Sequence, residues 1–424
     1  MPHRILFISN GHGEDNHSSH VIRALRELRP ELDMGAIPIV GQGHAYRKLG
    51  IAIQGPTLTL PSGGFTYMDR WRLVDDIRAG LLRLTWRQIK AVRRAAPQYD
   101  LVFATGDMVG QSFAFLSGRP FISFISPLSA MYEGKLQLDL ILRWGIMRSH
   151  RCLTVFTRDA YTAQDLKRQG VAKAQFGGIP SLDWLKPKGK DLQLKPDQPM
   201  MALLPGSRLP EAVRNFKLLL GLVRDIAQLN RQVQFRAALV PDLMAQLAAI
   251  AAAAGWQHES GRLFAPTMPG ERPVEVICYS DAFNDIVCST TLVLGMAGLA
   301  VDQAVAIGKP VLQIPGEGPQ FTYAFAEAQT RLLGLSAKTV GTGPATADTL
   351  RKAARVALDM VQDPAYLADC VDNGFQRFGP FGASTRMAQA IIDYLEGADN
   401  ATNGARASGD TIQSGDIQPH EASF

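Results

Sequence analysis

The sequence predicts an α/β protein of two doubly wound domains, and three observations carry that prediction. Strand-like and helix-like patterns alternate along most of the chain, the arrangement that builds parallel sheets covered by helices. The alternation comes in two series, separated by Pro180–Pro199, which is rich in proline and lysine and lacks apolar periodicity. At 424 residues the chain is also too long for one ordinary core.

The first series offers strands at Ile5–Ile8, Ile37–Val40, Leu101–Ala104, Pro120–Ile125 and Cys152–Phe156. The second offers Met201–Leu204, Gln234–Leu239, Glu275–Cys278, Thr291–Leu294 and Pro310–Gln313, with helices at Val21–Leu28, Val213–Leu229 and Leu243–Ala254. The expected layout is a domain over 1–185, a linker over 186–199, a domain over 200–380 and a closing helix over 381–397. From Ala398 the chain has almost nothing to bury and is expected to be disordered over 398–424.

No apolar run reaches the roughly 18 residues a membrane span needs, and no signal peptide is expected because a buried-strand pattern begins at once. Cys152, Cys278, Cys288 and Cys370 show neither CxxC pairing nor metal-ligand spacing. They read as reduced thiols of a cytosolic protein, and no metal site is expected. Residues 1–200 carry 27 Lys+Arg against 17 Asp+Glu, whereas residues 201–424 carry 17 against 22. A basic first half suggests an anionic partner, or simply a basic surface.

The first strand runs into SNGHGEDNHS, Ser9–Ser18. Strand, glycine-bearing turn and helix together aim backbone N–H groups at a polar or anionic ligand. Gly11 and Gly13 begin a dinucleotide fingerprint, but Asn16 stands where its third glycine belongs and no acidic residue closes the second strand, so NAD is disfavoured. No GK[ST] follows, which excludes a P-loop. Asp15 or Asn16 as a helix cap explains one residue but not Asn10, His12, Glu14 and His17 together.

Two motifs mark the second half. In LLPGSRLPEAVRN (Leu203–Asn215) a strand ends at Gly206-Ser207-Arg208, and a helix starts near Glu211. Gly206 permits close backbone approach, Ser207 offers a hydroxyl and Arg208 a fork matched to phosphate oxygens, a set that reads as a diphosphate cradle. Farther on, a strand ends at Ala297-Gly298, followed by a small-residue helix carrying Asp302 and Gln303 and then by the loop Pro315–Gln320. A side chain on that helix's first turns can reach a ribose hydroxyl of a nucleotide lying across the strand ends. In the basic half, FATGDMVGQ (Phe103–Gln111) places Asp107 at a strand end, as a carboxylate for proton transfer or as an N-cap.

The order of these motifs resembles the lipid-A-disaccharide synthase family, in particular its related proteins, and more distantly the peptidoglycan N-acetylglucosaminyltransferase. The resemblance rests on LLPGSR, on SNGHGEDNHSSHVIRAL and on FGASTRMAQAIIDYL (Phe381–Leu395). It implies a GT-B architecture, two Rossmann-like domains facing across a cleft. It implies an inverting glycosyltransferase that moves a sugar from a UDP-sugar co-substrate to a lipid or lipid-linked acceptor, with no further cofactor. Asp107 matches the family's base, and His17 and Glu14 are further catalytic candidates. Asn10, Gly11, His12, Gly13 and Asp15 fall on the acceptor side. Gly206, Ser207, Arg208, Glu211, Ala297, Gly298, Asp302, Gln303 and Gln320 fall on the donor side. Ala297-Gly298-Leu299 departs from the family's SGT, and the following Glu position falls on Asp302 or Gln303. A UDP-sugar 2-epimerase of the same fold and a non-catalytic nucleotide-sugar or lipid-binding protein are the alternatives.

Eight basic residues against two acidic ones in Arg70–Ala96 give the positive charge a place. Arg83, Arg87, Lys90 and Arg94 recur at helical spacing and Trp71 and Trp86 accompany them, a pattern suited either to anionic lipid headgroups or to an ordinary solvated helix face. Leu136–Met147, with Trp144 between Arg143 and Arg148, is a second candidate membrane contact. No RNA-binding motif accompanies the charge, so no nucleic-acid partner is expected. The expected location is cytoplasmic, peripheral to the inner face of the membrane.

Overall fold

A computed structural model describes residues 3–57, 81–266, 273–318 and 320–409. The part of the basic segment before residue 81 and the end of the tail, 410–424, lie outside the described residues. The chain forms two compact units, one of Met1–Ile125, Leu140–Val155 and Ser384–Phe424, the other of Ser126–Asp139 and Phe156–Ala383.

The strands of the first sheet are β1 (Arg4–Ser9), β2 (Asp33–Pro38), β3 (Ala52–Ile53), β4 (Leu101–Thr105), β5 (Phe121–Ile125), β6 (Cys152–Thr157) and β7 (Ala174–Phe176), in the order β3-β2-β1-β4-β5-β6-β7. Pairings from β3 through β5 are parallel. The run Ile5–Ile8 is fully buried, as the continuous apolar reading of a strand covered on both faces requires. Strand order reverses between β1 and β4, where Ser9 pairs with Thr105.

The second sheet joins β8 (Met200–Leu204), β9 (Gln234–Ala238), β10 (Gln257–Glu259), β11 (Arg262–Phe264), β12 (Glu275–Tyr279), β13 (Leu292–Gly295), β14 (Val311–Gln313) and β15 (Ala337–Thr339), in the order β10-β11-β12-β9-β8-β13-β14-β15. It is parallel except for β10 and β11, which form a hairpin and meet β12 antiparallel. Side chains of β8 alternate strictly: Met201 and Leu203 enter the core on one face, Met200, Ala202 and Leu204 the core on the other. Here the order reverses between β8 and β13. In doubly wound sheets, ligands collect outside the carboxyl ends of the strands at such a reversal.

The helices that matter below are α1 (His12–Leu28), α2 (Leu81–Ala95), α3 (Met108–Leu116), α4 (Ala160–Arg168), α5 (Glu211–Leu229), α6 (Leu299–Ala306), α7 (Tyr323–Leu333) and α8 (Ala383–Gly409). Four elements differ from the sequence reading. Helix α1 begins at His12, well before Val21, because a cluster of polar side chains on its first turns is buried. Strand β2 covers Asp33–Pro38 rather than Ile37–Val40, and includes Gly35 because the Tyr99 hydroxyl occupies the place of a Cβ, only 2.2 Å away. The expected helix Leu243–Ala254 is broken into Pro241–Met244 and Leu247–Ala253. The closing helix α8 runs past residue 397 to Gly409.

Candidate functional site

In the first unit the reversal lies between Asn10-Gly11, after β1, and Gly106-Asp107, after β4. The Asn10 N–H donates to the Thr105 carbonyl at 3.2 Å, and a Cβ on Gly106 would lie 2.9 Å from that of Asn10. The two turns therefore touch. Gly106 has φ +137°, a backbone state that favours glycine. Asp107 is 4% exposed and caps α3, its Oδ1 accepting from the Val109 N–H at 2.9 Å. The cap reading of Asp107 is thus met, and it leaves the carboxylate at the strand end.

The opening motif is mostly helix, not loop. Its N-cap is Gly11, without a side-chain cap bond, so neither Asp15 nor Asn16 caps α1. His12 and Gly13 are exposed on the first turn and Glu14 is half-buried. Asp15 and His17, expected near an acceptor or a reacting group, instead turn inward. His17 meets the Phe124 ring edge-on, with centroids 5.8 Å apart. Asp15 is 1% exposed and accepts from the Ser9 hydroxyl at 2.5 Å, which in turn accepts from the Tyr46 hydroxyl at 2.6 Å. Beside this chain Ser18 and Thr105 share a hydrogen bond of 2.8 Å. Burial drives the Asp15 carboxyl from 3.8 up to about 7; the Ser9 bond opposes the rise and the Glu14 charge adds to it. Burial likewise raises the Tyr46 phenol, with Asp15 adding to it. Ser9, Ser18, Tyr46 and Thr105 were not singled out by sequence, because their contact depends on pairings across 37 and 87 residues.

In the second unit the reversal falls on the motif Leu203–Asn215. Gly206 has φ +98°, and a Cβ there would lie 3.1 Å from the Met296 carbonyl, so the turn after β8 lies against the turn after β13. Ser207 and Gly298 are exposed, Arg208 is half-buried, and Ala297 is buried. Both α5 and α6 start here, and neither has a side-chain cap, so their first N–H groups have no capping side chain to satisfy them.

The turns are braced from below by α5. Asn215 donates its amide to the Pro205 carbonyl at 3.1 Å and approaches that of Met296 at 3.5 Å. Glu211, expected at the donor, instead accepts from the Gln320 and Phe321 N–H groups at 2.9 and 2.6 Å. Arg214 donates to the Gly318 carbonyl at 2.6 Å. Gly316 lets the third loop close in, since a Cβ there would meet Asn215 Oδ1 at 2.9 Å. Gln320 is half-buried beside this brace. The signal for Asn215 was present: it is one helical turn from Glu211, on the same face.

Asp302 is occupied. Arg158, at the end of β6, donates to its Oδ2 at 2.7 Å, and Gln329 of α7 donates to its Oδ1 at 3.2 Å. Both members of the ion pair are buried. Gln329 also donates to the Gly298 carbonyl at 3.1 Å and accepts from Gln313 at 2.6 Å. Asp302, expected at a ribose, is thus held in a buried ion pair, and half-buried Gln303 is the neighbouring amide on α6. Arg158 and Gln329 were unreadable from sequence, being 144 and 27 residues from Asp302.

On the first unit α2 exposes Arg83, Arg87, Lys90 and Arg94 together with Trp86, which is 57% exposed. Helix α2 packs on α3, and α3 on the turn Ile141–Ile146. That turn exposes Leu140, Ile141 and Trp144, with Arg148 stacked 4.2 Å from the Trp144 ring centroid. No described helix is long and apolar enough to cross a membrane.

No protein-family model matches the chain, and no curated protein sequence matches it. Solved structures do. MurG of Acinetobacter baumannii is 12% identical, with a TM-score of 0.59 over 92% of this chain and 100% of that one. CalG4, the calicheamicin glycosyltransferase, is 14% identical, with a TM-score of 0.58 over 93% and 98%. A UDP-GlcNAc 2-epimerase from Neisseria meningitidis, solved bound to UDP-GlcNAc, is 13% identical, with a TM-score of 0.56 over 92% and 100%. At these identities the likeness establishes the fold: the chain is built from two Rossmann-like α/β units of the GT-B class.

Proposed function

We propose that the protein is an inverting glycosyltransferase that moves a sugar from a UDP-sugar to a lipid or lipid-linked acceptor at the inner face of the cytoplasmic membrane. The observation that carries the reading is the braced turn Pro205–Arg208. It brings a positive-φ glycine, an exposed hydroxyl, a guanidinium and two uncapped helix starts to one strand-order reversal, a set of donors suited to a diphosphate. The solved neighbours support it, since they include glycosyltransferases and an enzyme bound to a UDP-sugar.

In this reading Asp107 accepts the proton of the acceptor hydroxyl as that oxygen attacks the anomeric carbon. The bond to the UDP oxygen breaks with its electron pair, and Arg208 and the N–H groups of α5 and α6 stabilise the departing charge. Asn10, Gly11, His12 and Gly13 orient the acceptor, while Asp15 and His17 act indirectly by fixing the start of α1. Exposed Trp86, Leu140, Ile141 and Trp144, with cations around them, favour contact with an anionic bilayer.

A panel of radiolabelled UDP-sugars incubated with the protein and total lipid extract tests the reading. Label in the lipid fraction is the expected result. The epimerase in the neighbour set supports a second reading, in which UDP-GlcNAc is converted to its 2-epimer without any acceptor. Epimerised nucleotide with unlabelled lipid would replace the first reading by the second.

A further inference from the structure

Along the flank of edge strand β3 the first unit carries a groove of about 690 Å³. Three cations of α2, Arg87, Lys90 and Arg94, line it on successive turns, with Gln54 and Gln98 beside them. The segment after β3 comes close to α2 because the contact is made by small residues: a Cβ on Gly55 would lie 3.3 Å from that of Ala91. All three cations are exposed, and among the described residues none is ion-paired with a carboxylate. The Gln98 side-chain oxygen accepts from Arg4 at 3.4 Å, which leaves its NH2 group as the donor it has to offer. Three cations without a carboxylate partner, Lys90 lying 5.1 Å from the Trp86 ring centroid, and two amides around one concavity give a set of donors with no acidic counterpart. Chemistry of that kind matches a compact, multiply charged anion, because each phosphate oxygen accepts charge-assisted hydrogen bonds.

We propose that this groove binds a phosphate or diphosphate group, carried either by a lipid headgroup or by a soluble metabolite, at a site separate from the sugar-nucleotide cradle of the second unit. The proposal does not depend on the transfer reaction. The same helix supplies its own control, because Arg83 and Arg93 are exposed cations of α2 that do not line the groove. Diffuse attraction to an anionic surface would weigh every exposed cation of α2 alike, whereas a groove weighs only those that line it.

The test uses the full chain carrying Arg208→Ala, so that pyrophosphate is not taken up by the second unit's cradle. Inorganic pyrophosphate is titrated calorimetrically at low salt. Lys90→Ala and Arg94→Ala are each expected to weaken binding about tenfold or more, the loss of a charge-assisted contact, and Arg83→Ala and Arg93→Ala less than about twofold. All four side chains are exposed, so the variants should keep the parent melting temperature. Flotation on vesicles of phosphatidic acid against charge-matched phosphatidylglycerol then separates the sources. A preference for phosphatidic acid that pyrophosphate abolishes assigns the site to lipid headgroups, and pyrophosphate binding without that preference assigns it to a soluble phosphate. Equal losses across the four variants, or no pyrophosphate binding, overturn the proposal.

Discussion

The two strand-order reversals are built from opposite materials. In the second unit the reversal is mostly backbone: Gly206, Gly298 and the starts of α5 and α6, held in place by Asn215, Glu211 and Arg214 from beneath. In the first unit the polar side chains themselves crowd the reversal, and several turn inward, as Asp15, His17 and Ser18 do. One topology thus presents two different surfaces, which the proposed function assigns to two tasks. A backbone cradle suits an anion that must only be held, whereas a cluster of side chains of graded burial suits proton transfer and positioning.

The sharpest way to separate the two is Asp107→Asn. As the proposed proton acceptor it should lower kcat by about 10²- to 10⁴-fold while UDP affinity stays unchanged. A fall in UDP affinity of the same size would place Asp107 in nucleotide binding and dissolve the division between the units. Next in size is Arg158→Ala, which strands the buried Asp302 carboxylate. It should cost about 3–5 kcal/mol of stability, read by chemical denaturation, and replacing both members with apolar residues should recover much of it. Smaller again is Asn215→Ala, which strips the Pro205 carbonyl of its amide partner. A loss of about 1–3 kcal/mol is expected, together with weaker UDP binding, because the cradle loses its brace.

The remaining effect is on pH dependence. Asp15 titrates near 7 in the folded chain against an ordinary 3.8, so the folded state holds its proton more tightly than the unfolded state. Its contribution to stability is therefore fully present below about 4 and is lost as pH rises through about 7. Asp15→Asn should flatten the fall in melting temperature across that window. An unchanged slope would mean that the carboxyl is ionised in its buried place.

Much of this contrast was legible in the sequence, and unevenly so. The second unit's turn at the reversal was readable because proline, glycine, serine and arginine in LLPGSR are local signals with local causes. The first unit's reversal did not. Gly13, Asn16 and three histidines are weak helix formers, so local propensity places the start of α1 near Val21; the buried bonds of Ser9, Asp15 and Tyr46 override that propensity. Gly35 reads as a strand breaker until Tyr99 is seen to need its missing Cβ. Nothing near Asp302 in the sequence points to Arg158, which holds it. What stayed hidden in each case was a partner far away in sequence, which no local pattern encodes.

In the proposed function the nucleotide belongs to the second unit and the acceptor chemistry to the first. Calorimetric titration of UDP into the wild type, Arg208→Ala, Gly206→Val and Asp107→Asn tests it most directly. UDP should bind the wild type and Asp107→Asn with the same affinity and both second-unit variants at least about tenfold more weakly. UDP affinity that survives both second-unit substitutions but falls with Asp107→Asn would contradict it.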